Sequence, residues 1–111
     1  MNKIITICGS MKFQEQMIEV AKRLELEEQY IVIQCVYFDK SRILTSQEIN
    51  ILNELHYRKI EISDAIYVVN VGGYIGESTR KEIEYARSLN KEVLFFEPIG
   101  SKRQSAYYKT Q

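Results

Sequence analysis

The sequence predicts an α/β fold in which one parallel sheet carries helices on both faces. Three observations point to it. Short β-branched runs alternate with stretches whose apolar residues recur at three- and four-residue spacing. The run 30–36 (Tyr-Ile-Val-Ile-Gln-Cys-Val) is apolar almost without a break, as in a strand covered on both sides. Strand-like runs also end in glycine-bearing segments that lead into helices, which is the layout of right-handed crossovers between parallel strands. A chain of 111 residues has room for one such core but not for two.

Taken in order, residues 4–8 form the first strand and stop at Gly9-Ser10. Phe13, Met17, Val20, Ala21 and Leu24 then recur at helical spacing. The run 30–36 is expected as a central parallel strand. Thr45 with Glu48 three residues on matches a capping box, and the helix it opens should extend to about Ser63. Residues 65–70 form the third strand and residues 71–76 a glycine-bearing loop. Ser78 or Thr79 is expected to cap a helix through Leu89, with Asn90 as its stop. Residues 92–96 form the fourth strand, and Pro98 precedes a polar stretch carrying Tyr107 and Tyr108. The expected form is a single flavodoxin-like, or Rossmann-like, domain over residues 1–98 with four to five parallel strands, followed by a polar tail over 99–111.

Composition excludes several classes of function. Apolar residues at 45% and charged ones at 27% match a globular domain, not a disordered segment. Fifteen basic residues balance fifteen acidic ones, so the net field that would draw the chain to nucleic acid or an anionic membrane is missing, and neither partner is expected. No apolar run approaches the roughly 20 residues of a bilayer span, and Met1-Asn2-Lys3-Ile4 leads into a strand without a signal-peptide layout. A cytoplasmic protein is the expectation. Cys8 and Cys35 both lie in β-like runs and read as free buried thiols; two cysteines are too few for a secreted scaffold or a zinc site, so no metal is expected.

Open α/β sheets bind ligands outside the carboxyl ends of their strands, where the strand order changes direction. Gly9 lets a ligand approach the backbone there, and free helix N–H groups with the Ser10 hydroxyl suit an anion. A plain tight turn is the other reading, because the glycine spacing of a Rossmann or Walker loop is absent. Residues 72–82 gather glycines, hydroxyls and carboxylates in one loop and helix start, a density that suits binding. Glu82 is expected about the first turn of that helix, on the side of Ala86 and facing the upper edge of the sheet; otherwise it is a surface charge on the helix dipole.

Ile7-Cys8-Gly9-Ser10-Met11-Lys12, Ser63-Asp64-Ala65, and Glu82-Ile83 with Ala86 together resemble the nucleoside 2-deoxyribosyltransferase superfamily. The 2'-deoxynucleoside 5'-monophosphate N-hydrolases are the nearest branch, and the resemblance covers most of residues 4–98. It implies cleavage of a base–sugar bond, with Glu82 as nucleophile on the anomeric carbon and no cofactor. It also sets Gly9 and Ser10 against sugar and phosphate, and Lys12 where the nucleotide hydrolases carry an arginine. Three positions depart from the pattern. His56 falls where the family has an aspartate that orients the sugar or assists proton transfer, and Leu52 and Ile60 four residues to either side leave a packing role open. Thr6 replaces a tyrosine, and residues 77–81 replace a glycine-rich approach to the glutamate. Glu77 would repel a phosphate that Lys12, Ser78, Thr79 and Arg80 would attract.

Two functions of different class follow. One is an N-glycoside hydrolase or deoxyribosyltransferase acting on a nucleoside or nucleoside 5'-monophosphate, with catalytic Glu82 and His56 and substrate-binding Gly9, Ser10, Lys12, Gly76, Ser78 and Thr79. The other is a non-catalytic sensor that binds a nucleotide-derived ligand in the same cleft. A domain with four strands has shallow walls around such a cleft, so a homodimer or larger even-numbered oligomer is expected, with Tyr57, Ile60, Tyr107 and Tyr108 as contacts.

Overall fold

A computed structural model describes residues 1–99. Four strands, β1 (Ile4–Cys8), β2 (Ile31–Ile33), β3 (Ala65–Val68) and β4 (Glu92–Phe95), form one parallel sheet in the order β2-β1-β3-β4. Three helices connect them: α1 (Gln14–Glu27), α2 (Ser46–Glu61) and α3 (Glu77–Ser88). This is the expected flavodoxin-like α/β arrangement.

Side chains alternate across a strand, and β1 shows what that does. Ile5 and Ile7 pack on one face with Met17, Val20 and Leu24 of α1. Cys8 packs on the other with Ile60 of α2 and with Ile83 and Ala86 of α3. Helices therefore cover both faces. Thr6, on the Cys8 side, is fully buried; its Oγ1 lies 2.7 Å from Ser63 Oγ and donates to the Lys59 carbonyl at 3.2 Å, tying the end of α2 to the sheet. Thr6 is a structural anchor, which explains why a hydroxyl of this size stands there.

Local chemistry sets the element ends. Thr45 accepts from the Glu48 N–H while Glu48 accepts from the Thr45 N–H, so the capping box forms as the spacing predicts. A Cβ on Gly9 would meet Met17 Sδ at 3.1 Å and the Val69 carbonyl at 3.2 Å, so any larger residue would push these neighbours back by a few tenths of an ångström. Gly72 and Gly73 both have positive φ, 66° and 83°, and turn the chain from β3 toward α3. Asn90 takes positive φ just past α3, as a helix stop should.

Several expectations change. The run 30–36 is not central: β2 keeps only three residues and pairs with β1 alone, and Ile31 at its outer position is half exposed. Residues beyond Ile33 leave the sheet, and the apolar run continues there because Cys35 and Val36 line a cavity, Cys35 donating to the Ile7 carbonyl at 3.6 Å. Ser78 and Thr79 do not cap α3. Gly76 occupies that position without a side-chain bond, the helix begins at Glu77, and Glu82 falls in its second turn. Ile60 is fully buried and serves the core of its own chain, whereas Tyr57 is only partly buried and packs edge-on against Tyr85 at 5.0 Å. Tyr107 and Tyr108 lie outside the described residues. Among the described residues no helix is long and apolar enough to cross a membrane.

Candidate active site

The strand order reverses between β1 and β3, and the carboxyl ends of these two strands open into a cavity of about 580 Å³. Its floor is the Gly9-Ser10 turn, one wall is α2 at Leu52 and His56, and the opposite wall is the start of α3 from Gly76 to Glu82. Phe38 and Tyr74 stand at its sides. A shallower hollow of about 660 Å³ runs along α1 beside Phe96, between exposed Glu15 and Glu19 and half-buried Arg23. It lacks a buried polar cluster, which makes the first cavity the better candidate.

Seven of the eight sequence-derived site residues meet in this cavity: Gly9, Ser10, His56, Gly76, Ser78, Thr79 and Glu82. Lys12 does not line it. Its ammonium sits 3.7 Å from the centre of the Tyr74 ring, a cation–π contact that places it behind a wall residue. Ser10 spends one lone pair accepting from the Lys12 N–H at 3.3 Å, which caps the short 3-10 turn Met11–Phe13. Arg80 is exposed and bonded to both Glu77 and Glu84, so neither Arg80 nor Glu77 presents an unbalanced charge to the cavity.

Inside, three polar side chains converge from three elements. Cys8 Sγ at the end of β1 lies 3.4 Å from His56 Nε2 of α2, and the same Nε2 lies 3.7 Å from Glu82 Oε1 of α3. Side-chain exposure is 10% for His56 and 14% for Glu82, low enough to govern their protonation. Burial pushes the Glu82 carboxyl up to about 7, with the Cys8 contact pulling weakly the other way. Burial, helped by the positive charge of Lys59, pushes the His56 imidazole down to about 4. The Cys8 thiol is held well above its ordinary range by burial and then by the neighbouring Glu82 charge. At neutral pH the cluster is thus a neutral imidazole, a protonated thiol and a carboxyl divided between its two forms.

Cys8 was missed in the sequence as a site residue, because its place in an apolar run reads as packing. The two-residue period of β1 held the signal: Cys8 shares a face with Thr6 and points toward α2 and α3 at the strand's carboxyl end. Cys35 and Tyr74, which also line the cavity, carry no comparable pattern.

No family model and no curated protein matches the sequence. Among solved structures, the 2-desoxiribosyltransferase from Leishmania mexicana is similar with a TM-score of 0.61 and 21% identity, over 85% of this chain and 63% of that one. A conserved protein from Enterococcus faecalis V583 is similar with a TM-score of 0.60 and 16% identity, over 86% of this chain and 63% of that one. The chain therefore spans somewhat less than two thirds of the length of either protein, and over that span it has their fold.

Proposed function

We propose that this chain cleaves the N-glycosidic bond of a nucleoside or nucleoside 5'-monophosphate, with Glu82 as the nucleophile. The observation that carries the reading is the Glu82 carboxylate itself, largely withdrawn from water in the wall of a cavity at the strand switch point. The motif resemblance and the fold shared with a protein titled as a 2-desoxiribosyltransferase support it.

In this reading an oxygen of ionised Glu82 bonds to the anomeric carbon as the carbon–nitrogen bond breaks. The electron pair leaves with the base, which takes a proton from solvent. Water, or a second base, then displaces the carboxylate and restores it. Low exposure helps because the anion has little hydration to shed and faces a transition state with cationic character. His56 acts as an orienting group, since an imidazole that protonates near pH 4 has no proton to give at neutral pH. The free N–H groups at the start of α3, with the Ser10 and Ser78 hydroxyls, supply donors for a 5'-phosphate. The reading uses no cofactor.

Incubation with ribo- and deoxynucleosides and their monophosphates, followed by chromatography of free bases, is expected to show base release. Glu82→Gln should reduce it to background while substrate affinity stays within a few-fold. Turnover that survives the substitution removes Glu82 from the mechanism; binding without base release by the unaltered chain assigns the cleft to a sensor.

A further inference from the structure

We propose that Cys8, His56 and Glu82 form a preorganised three-ligand site for a zinc ion, with its fourth coordination position open to the cavity. One donor atom from each of the three lies within 4.8 Å of the others. Zinc bonds of about 2.3 Å to sulfur and about 2.0–2.1 Å to nitrogen or oxygen, at tetrahedral angles, separate neighbouring donor atoms by roughly 3.3–3.6 Å. The sulfur–nitrogen and nitrogen–oxygen separations here are 3.4 and 3.7 Å. The third separation, from the Cys8 sulfur to the Glu82 carboxylate, lies within 4.8 Å, so seating an ion asks these two side chains to close by at most roughly 1.3 Å.

Rigidity favours the same conclusion. Each donor comes from a different packed element, and Ile60 one turn beyond His56 and Ile83 beside Glu82 are both anchored in the core. A thiolate, an imidazole and a carboxylate suit a borderline-soft divalent ion over magnesium or calcium, which prefer oxygen alone. His56 and Glu82 line the cavity, so an ion can enter from that side. On binding, the Cys8 thiol releases its proton to solvent, and thiolate and carboxylate balance the charge of the ion. Three protein donors with one open position is the arrangement of a site that accepts water or a ligand as its fourth partner.

The inference rests on side-chain geometry and not on the glycosidase reading, but the two interact. A Glu82 carboxylate engaged by zinc is not free to attack carbon, so zinc should suppress base release wherever base release occurs.

Cobalt(II), added to the full chain with a non-thiol reductant, probes the site without substrate. The expected result is a one-to-one complex with thiolate-to-cobalt absorption in the near ultraviolet and the intense visible bands of a tetrahedral ion, both bleached by zinc. Cys8→Ser should remove the thiolate band. Glu82→Gln and His56→Gln should each weaken cobalt binding by more than about tenfold, the least that even outer-shell changes cost. Cys35→Ser should leave the spectrum unchanged. Circular dichroism establishes that each variant is folded. Absence of the thiolate band in the folded parent chain overturns the site, as does a band that persists in Cys8→Ser or disappears in Cys35→Ser. If Cys8→Ser does not fold, unchanged cobalt affinity in Glu82→Gln overturns it.

Discussion

Glu82 and His56 face each other with little water around either, and withdrawal from water disfavours the charged form of both, so their protons move in opposite directions. The folded Glu82 carboxyl keeps a proton up to about pH 7 that the unfolded chain loses near 4.5, so stability falls as pH rises through that interval. The folded His56 refuses a proton down to about pH 4 that the unfolded chain accepts near 6.5, so stability falls as pH drops from 6.5 to 4. Between 4.5 and 6.5 the two slopes oppose, since folding transfers one proton from imidazole to carboxyl. Glu82→Gln removes only the carboxyl slope. Urea unfolding should show the variant more stable than the parent at pH 8, by roughly 2–3 kcal/mol, with the advantage gone at pH 4. Parallel profiles would sink this account. Base release, which needs the ionised carboxylate, should rise through about pH 7 in the parent chain. None of this was legible in the sequence: spacing put Glu82 near Ala86 and His56 between Leu52 and Ile60, but the depth of burial depends on how far α2 and α3 close over the end of β1.

The elements themselves were easier to read where the signal was local. Thr45 with Glu48 announced the start of α2, and Asn90 the end of α3, because each device lies within one turn of chain. A local signal also missed at α3, where Gly76 and not Ser78 or Thr79 takes the cap position, and the larger failure depended on partners distant in sequence: the run 30–36 was apolar enough for a central strand, yet only β1 pairs with it. Asn70 shows the same limit. It is fully buried just past β3, donating from Nδ2 to the Glu97 carbonyl at 3.0 Å and accepting at Oδ1 from the Glu97 N–H at 2.8 Å. A side chain thereby extends the sheet where backbone pairing of β3 with β4 has ended, and Glu97 also accepts from the Gly72 N–H at 2.8 Å. These bonds hold the loop that sets Gly76 and the start of α3. Asn70→Ala leaves both Glu97 backbone groups without their partner and should cost about 2–3 kcal/mol in urea unfolding, with reduced base release through a loosened loop. A loss under about 0.5 kcal/mol would mean that water replaces the amide without penalty.

At the scale of the whole molecule, α2 is apolar on two sides. His56 and Ile60 face the core, while Ile51, Leu55 and Ile62 fall within one narrow stripe on the opposite side and are 50%, 50% and 67% exposed. An outward stripe of large aliphatic side chains on a solvent-facing helix needs a cover, and a second copy of the same helix, packed about a two-fold axis, supplies one. Leu55 belongs both to this stripe and to the cavity wall, where Leu44 and half-exposed Ile49 also stand, so a partner seated there would deepen the cleft as well. The sequence raised the expectation of a dimer from shallow walls with Tyr57, Ile60, Tyr107 and Tyr108 as contacts; Ile60 proves to lie in the core, since apolar side chains on a helix do not state which face they occupy until the helix is docked. We therefore expect light scattering to show a homodimer at micromolar concentration. Ile51→Glu, which places a charge in the stripe without touching the core or the cavity wall, should yield a folded monomer with at least tenfold weaker substrate binding, on the order of 1.4 kcal/mol. A parent chain that is monomeric, or a variant that keeps both its dimer and its affinity, would show that the stripe faces water and that one chain closes its own cleft.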